Sequence, residues 1–257
     1  MLREKIFSVP ADDGFRHRGK EIVRVEALSD AVFAFSVSLL VASLEVPQTF
    51  EELKVIVKGA LPFFATVALI FLLWYQQYMF FRRYGLNDFI TILLNLAYLA
   101  TMLFYVYPLK FLFSVLIGSW TGINLFPKAA EKGMIVLGSH DFPQLIMLFS
   151  AGYFFIWFLI YLMHARAIHF AHNLELNSRE MFFTNKEKRG AVWNAGIGLA
   201  AIVLAGVHAE MLAGICYLLI PVLLILNQYI YKLQVQRYKL RKSRKVSRNH
   251  EHHTSDQ

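Results

Sequence analysis

Apolar residues in this chain fall into six blocks of membrane-spanning length, separated by short polar stretches. A helix needs about 20 predominantly apolar residues to cross a bilayer. The pattern predicts helices over residues 22–46, 56–81, 88–118, 142–166, 189–207 and 210–232. Pro108 lies in the third block, where it predicts a kink or the outer end of that helix. We therefore expect an all-α integral membrane protein with an N-terminal segment (1–21), a six-helix transmembrane domain (22–232) and a basic tail (233–257).

Positive charges are divided unequally between the two ends of these helices. Lys54, Lys58, Lys128 and Lys132 lie on one side and Lys110 lies within the third span, whereas all the other Lys and Arg of the 26 lie on the side of both termini. Cytoplasmic loops of membrane proteins carry the excess of Lys and Arg. The distribution predicts that both termini are cytoplasmic.

Composition agrees with a membrane protein and limits its partners. The chain is 57% apolar and 17% charged, against about 45–50% and about 25% in soluble domains. Eight positive charges lie in residues 232–248 beside the last span, where attraction to anionic lipid headgroups is expected. No row of stacking aromatic residues accompanies them, so nucleic acid is not predicted as a partner. Residues 249–257 are predicted to be disordered.

The start of the first helix carries unusual polar groups. Arg24, Ser29 and Asp30 directly precede a long apolar run, and Asp30 lies roughly 9 Å deeper along the helix than Arg24. A carboxylate at the middle of a bilayer costs about 2.5–3.5 kcal/mol, so it is normally paired or faces a protein interior or an aqueous cavity. This helix is therefore the first candidate for function.

One stripe of the first helix is mostly apolar and contains one hydroxyl group. At about 100° per residue, the stripe comprises Ala31, Phe35, Ser38, Leu39 and Ala42. One interpretation is that the stripe packs against neighbouring helices and that Ser29 and Asp30 form a buried anchor. The other is that symmetry-related stripes face an axis, where Phe35 and Leu39 form a hydrophobic constriction and Ser38 offers oxygens to a cation.

The sequence contains short matches to catalytic and metal-binding motifs, but their spacing does not support either function. Ser139, His140 and Asp141 are consecutive, which a catalytic triad does not allow, and Asp141 is predicted near a helix start. His164, His169 and His172 are interpreted as solvated side chains on a helix extension. Neither an enzyme, a cofactor nor a metal site is predicted. Gly196 and Gly198 are expected to let two helices approach closely, and the chain has no TVGYG stretch for a carbonyl-lined filter.

The first helix resembles the Arg-x3-Phe-Ser-Asp motif of the endolysosomal potassium-channel family, in particular its prokaryotic members. The matching residues are Arg24, Leu28, Ser29, Asp30, Phe33, Phe35, Ser38, Leu39 and Leu40. Trp74 in the second helix and Asn95 and Pro108 in the third also fit the family's pattern. The resemblance implies a homotetramer of six-helix subunits around a central pore lined by the first helix, with modest selectivity for K⁺ over Na⁺.

The resemblance also implies roles for individual residues. Phe35 matches the constriction, Leu39 and Ala42 continue the pore lining, and Ser38 matches a hydroxyl linked to selectivity. A hydrogen-bond network that holds the pore helix would comprise Arg24, Ser29, Asp30, Trp74 and Asn95. The permeant ion is K⁺, expected near Ser38.

The sequence departs from the family pattern at several positions. Leu28 replaces the motif phenylalanine, Phe35 is bulkier than the expected aliphatic residue, and Ser38 lacks the methyl group of threonine. Gln76 and Gln77 stand where histidines are expected, so the family's pH dependence does not carry over. Phe35 predicts either a tighter closed constriction or a ring that turns aside, and Ser38 predicts weaker selectivity.

The function expected from these features is a passive, potassium-preferring channel in the cytoplasmic membrane of a prokaryote. A secondary transporter is an alternative, although the sequence lacks the inverted repeats and paired broken helices typical of that class. A non-conducting scaffold or sensor is the other alternative, with the Arg-Ser-Asp group in a structural role.

Overall fold

The computed structural model describes residues 15–19, 22–43, 46–126, 132–138 and 141–255, and for residues 210, 239 and 241–255 it describes the backbone alone. Most of the predicted N-terminal segment, residues 1–14 and 20–21, thus lies outside the described residues. The helices are α1 (Arg24–Ala42), α2 (Phe50–Lys58), α3 (Ala60–Tyr84), α4 (Phe89–Thr121), α5 (Asp141–His169), α6 (Ser178–Gly206), α7 (Glu210–Cys216) and α8 (Leu219–Ser255).

Six helical segments are long and apolar enough to cross a membrane, which confirms the predicted number of spans. They are α1, α3, α4, α5, α6 and the stretch Met211–Tyr238, which runs from α7 into α8. Asp141 begins α5, as predicted. The short helix α2 was not expected. It lies between the first two spans, and its N-cap residue is Thr49, whose side chain accepts a hydrogen bond from the Glu52 amide.

Two predicted boundaries are wrong. Helix α6 begins at Ser178 rather than near residue 189, because Asn177 and Glu180 form a reciprocal capping box. Hydropathy marks only the apolar part of that helix. Helix α8 continues to Ser255, although residues 249–257 were expected to be disordered. Lys and Arg are good helix formers, so a basic sequence can continue a helix that an apolar span has begun.

Helix α4 runs through the middle of the bundle. Helices α1 and α3 pack on one side of it, α5 packs on another, and α6 follows α5 and carries α8. The main core contains Phe33 and Leu40 of α1, Ile70 of α3 and Tyr98 and Met102 of α4. Helix α1 therefore lies at an edge of the protomer, where one side is buried and the other is open.

Helices α5 and α6 approach closely at one of the two predicted glycines. A Cβ atom at Gly198 would lie 3.0 Å from the Phe154 backbone nitrogen, whereas a Cβ at Gly196 would meet open space. Gly198 and the buried Ala191, Ala195 and Ala205 thus provide the small-residue contact. Gly196 is outside it.

The interpretation of His164 as solvated is wrong. Its side chain is buried between spans, its Nδ1 lies 2.9 Å from the Ile160 carbonyl oxygen, and its ring contacts Phe80 and Tyr84. His169 and His172 are exposed, as expected. Position 164 faces the bundle because it falls on the buried side of α5, with Met163 and Ala167.

An ion pair joins the start of α4 to the end of α5. Asp88 caps α4 and accepts hydrogen bonds from Thr91 and, at 2.6 Å, from Arg166 Nη2. Burial alone would raise the pKa of the Asp88 carboxyl. The hydrogen bonds from Thr91 and Arg166 and the positive charge of Arg166 outweigh that effect, so the pKa of Asp88 is lowered. Asp88 therefore stays ionised near neutral pH.

Candidate pore site on helix α1

Helix α1 buries one face against the rest of the protomer. Its buried residues are Ser29, Phe33, Ser36 and Leu40, which recur at helical spacing and pack toward α3 and α4. Each serine hydroxyl donates a hydrogen bond to a backbone carbonyl one turn earlier: Ser29 to the Val25 carbonyl and Ser36 to the Val32 carbonyl. Small side chains that satisfy their own polar group let α1 sit close to α4.

The predicted stripe occupies the opposite, open face. Phe35 is 55% exposed, Ser38 and Ala42 are exposed, and Leu39 is half-buried. In helical angle, this stripe is centred roughly 145° from the buried face. The structure therefore excludes the interpretation in which the stripe packs inside one protomer.

Ser38 presents an oxygen on the open face. Its Oγ donates to the Ala34 carbonyl oxygen at 3.0 Å. A hydroxyl has one hydrogen and two acceptor lone pairs, so this bond uses the hydrogen and leaves the lone pairs available. An oxygen in that arrangement can accept hydrogen bonds from water or contact a cation.

A buried hydrogen-bond network holds the inner part of α1. Gln77 Nε2 of α3 donates to Ser29 Oγ at 2.8 Å and to Asn95 Oδ1 at 3.1 Å. Asn95 Nδ2 of α4 donates to the same Ser29 Oγ at 3.0 Å. Ser29 and Asn95 are fully buried and Gln77 nearly so. These three side chains, here called the Ser29 network, join α1, α3 and α4 at one point.

A second contact joins α1 to α3 beside that network. Trp74 Nε1 donates to Asp30 Oδ1 at 2.8 Å, and the indole ring stacks on Tyr78 at 5.4 Å. Within the described part of the chain, no hydrogen bond or ion pair joins Arg24 to Asp30, and Arg24 is exposed. The structure thus brings together Ser29 with Asn95 and Asp30 with Trp74, but leaves Arg24 apart.

The outer end of α1 is tied to α4. Lys110 Nζ donates to Ser43 Oγ at 2.6 Å, and Ser43 Oγ donates to the Leu40 carbonyl. Ser43 is the C-cap residue of α1. Helix α1 is therefore held near both ends through side chains on its packed side, and the stripe with Phe35 and Ser38 lies between these anchors.

Sequence reasoning missed two of these residues. Gln77 was not included in the predicted hydrogen-bond network, although its amide donates to both Ser29 and Asn95, and Lys110 was given no role. The signal for Gln77 was an amide at helical spacing from Trp74 in an apolar span. Among the described residues, no group of three or more His, Cys, Asp or Glu side chains could hold a metal ion.

Comparisons with known proteins identify similar chains over the same helices. A family model for the endosomal/lysosomal potassium channel TMEM175 matches residues 24–105, which include α1, α3 and the Ser29 network. A potassium channel from Marivirga tractuosa is 35% identical over an alignment of 240 residues, which covers 89% of this chain and 96% of that protein.

Solved structures extend the similarity to the fold. A crystal structure of a variant of the potassium channel MtTMEM175, in complex with a nanobody–MBP fusion protein, matches with a TM-score of 0.76 and 34% identity. The match covers 87% of this chain and 99% of that one. A lysosomal potassium-selective channel TMEM175 homologue from Chamaesiphon minutus matches with a TM-score of 0.50 and 19% identity, over 79% and 96% of the two chains. The second likeness concerns the fold alone.

Proposed function

Since this chain belongs to the TMEM175 family of potassium channels, we propose that copies of it surround a central axis and pass K⁺ along the open face of α1. The protein is a multi-pass membrane protein and a channel-family member rather than an enzyme. The further proposal concerns the pathway. It runs between the α1 helices, has no carbonyl filter, and is closed by a hydrophobic constriction.

The observation that carries this proposal is the division of α1 into an anchored face and an open face. Ser29, Ser36 and the contacts to α3 and α4 fix the orientation of the helix. Phe35 and Ser38 are then directed away from the protomer's own core. A helix anchored so firmly on one side presents the same residues at the same height in every copy, as a symmetric pore lining requires.

Phe35 and Ser38 have different proposed roles on the open face of α1. Phe35, with Leu39 and Ala42, narrows the pathway, and an apolar constriction of that kind stops ions when water leaves it. Ser38 lies about one turn from Phe35 and supplies oxygens whose hydrogens already bond the backbone. These oxygens replace part of the hydration shell of K⁺, which gives modest preference over Na⁺.

The assembly is proposed to be a homotetramer in the cytoplasmic membrane of a prokaryote, with both termini in the cytoplasm. The excess of Lys and Arg on the termini side supports this orientation. Helix α8 extends its basic sequence well past the apolar stretch that ends at Tyr238. We propose that this extension lies near anionic lipid headgroups, and that no nucleic acid and no cofactor takes part.

Ion flux from liposomes tests the proposed activity. The purified protein should release K⁺ rapidly down its gradient, without coupled movement of protons or Na⁺, and should give discrete single-channel steps in planar bilayers. Saturable flux coupled to protons or Na⁺ would instead identify a transporter. An absence of flux from correctly assembled protein would identify a scaffold.

Replacing Ser38 by alanine should lower the preference for K⁺. The substitution removes the oxygen on the open face and leaves the Ala34 carbonyl bonded within the helix. We expect the bi-ionic reversal potential for K⁺ against Na⁺ to move toward zero, with little change in thermal stability. Ser36→Ala is the matched control, since that hydroxyl is buried on the opposite face. An unchanged potential in Ser38→Ala would remove this residue from the selectivity site.

A further inference from the structure

Residues 15–19 are docked against the bundle at the end where α1 begins, and are here called the docked segment. Phe15 is only 2% exposed. Its ring lies edge-on to Tyr84 of α3 and Phe183 of α6, with ring centroids 5.6 and 5.7 Å apart. The docked segment therefore packs between α3 and α6. Neither of these helices forms part of the open face of α1.

A buried carboxylate anchors this segment. The Glu180 side chain is fully buried, and its Oε2 lies 2.7 Å from Arg18 Nη2. Its Oε1 accepts from the Arg16 backbone amide at 2.8 Å, and its Oε2 also accepts from the Asn177 amide at 3.0 Å. A buried charge is tolerated only when it is paired and hydrogen-bonded. Glu180 depends on the docked segment for both of its ionic partners, Arg18 at 2.7 Å and the more exposed Arg16 at 3.5 Å.

The backbone of the docked segment also fits tightly. The amides of Arg18 and Gly19 both donate to the Arg82 carbonyl, and Arg82 Nη1 donates to the Gly19 carbonyl. A Cβ atom at Gly19 would lie 2.6 Å from the Phe81 carbonyl oxygen. Any side chain at position 19 would therefore push the segment away from α3.

The docked segment is connected to α1 by a short stretch of chain. Residues 20–22 lead to Val23, the N-cap residue of α1, and Arg24 begins the helix. Five residue steps, from Gly19 to Arg24, span at most roughly 18 Å even when fully extended. While the docked segment stays in place, the start of α1 cannot lie farther than about 18 Å from Gly19.

We propose that the docked segment positions the pore helix, and that its ion pair with Glu180 sets how often the pathway opens. This inference rests on the proposed function, in which α1 lines the pathway. Docking restrains the start of α1 in each copy and thereby holds the constriction closed. Phe35 lies eleven residues beyond Arg24, the first residue of α1, which is about 16 Å along the helix axis. The docked segment therefore acts on opening and not on the permeating ion.

Single-channel recording of purified, full-length protein in planar bilayers tests this role. Arg18→Gln removes the closer and more buried ionic partner of Glu180, and Gly19→Ala displaces the segment without changing any charge. Both variants should raise the open probability at least threefold, while the unitary conductance and the K⁺/Na⁺ reversal potential stay as in the unmodified protein. Combining Arg18→Gln with Glu180→Gln should bring the open probability back toward the original value, because no buried carboxylate then lacks its close ionic partner.

Arg16→Gln is the matched control. It removes the same charge from the same segment, but Arg16 pairs with Glu180 at 3.5 Å rather than 2.7 Å and its side chain is 57% exposed. An exposed ion pair contributes little, and the Arg16 backbone amide still bonds Glu180. We expect its open probability to stay within twofold of the original. Hydrogen exchange of the peptide containing residues 15–19 reports docking directly, and should be fast in Gly19→Ala and slow in Arg16→Gln.

Two outcomes would overturn the proposal. One is an unaltered open probability in Gly19→Ala although hydrogen exchange shows that the segment has detached. The other is a change in unitary conductance or reversal potential, which would give the segment a direct role in the ion path. If Arg18→Gln does not fold, Gly19→Ala and the double variant still test whether docking controls the open probability. Failure of the proposed function itself is distinguishable, because current would then be insensitive to Phe35 and Ser38 as well.

Discussion

Phe35→Ala should raise the K⁺ current through the channel about tenfold. The substitution removes a large apolar ring from the open face of α1, where 55% of the side chain is exposed in the protomer. Removing an apolar side chain of this size from water is favourable by about 1.5–3 kcal/mol. A difference of about 1.4 kcal/mol corresponds to a factor of ten in an equilibrium. Without the ring, the constriction stays wet more of the time. Macroscopic flux from liposomes at equal protein density measures the change.

Phe155→Ala is the control for this variant. Phe155 is 54% exposed but lies on α5, which packs on a different side of α4 from α1. Its removal should leave the current unaltered. If Phe35→Ala also leaves the current unaltered, the ring of Phe35 does not limit the pathway.

Asn95→Leu should destabilise the protein by about 1–3 kcal/mol per subunit, the cost of leaving buried polar groups without partners. Gln77 would lose its acceptor on α4, and Ser29 would lose a donor, both in a fully packed region. Leucine has nearly the same shape as asparagine, so packing changes little. Thermal unfolding in detergent and the assembled fraction in gel filtration measure the loss.

A double-mutant cycle with Gln77→Leu separates the network from packing. If the Ser29 network acts as a unit, the two substitutions together should cost less than the sum of their separate effects. Thr101→Val on the same helix is the control, because among the described residues its hydroxyl bonds only the Ala97 carbonyl one turn earlier. Equal losses in Asn95→Leu and Thr101→Val would mean that the network has no special role in stability.

Hydropathy and helical angle predicted the parts of the structure that depend on local sequence. The six spans follow from block length, and the stripe on α1 follows from the angular positions of Phe35, Ser38 and Ala42. The sequence alone left open whether that stripe packs within the protomer. These features are local because burial repeats with the helical period. The start of α6 was missed because the Asn177–Glu180 capping box lies in a polar sequence that hydropathy does not mark.

The contacts that hold α1 in place were harder to predict. Ser29 meets Asn95 and Gln77 across 66 and 48 residues of sequence, and no local pattern states which polar side chains of two spans meet. Family resemblance indicated Trp74 and Asn95, but not Gln77, where this chain departs from the pattern. Glu180 meets Arg18 across 162 residues, so the docked segment was found only in the folded structure.

Cysteine accessibility tests the pore-lining face of α1 most directly. In a Cys216→Ala background, cysteine is placed at Phe35, Ser38 or Ser36 and a positively charged thiol reagent is added during recording. A pathway along the open face predicts block of the current at positions 35 and 38, slowed by high K⁺, and no effect at the buried position 36. Unaffected current at 35 and 38, or block at position 36, would contradict a pathway along this face.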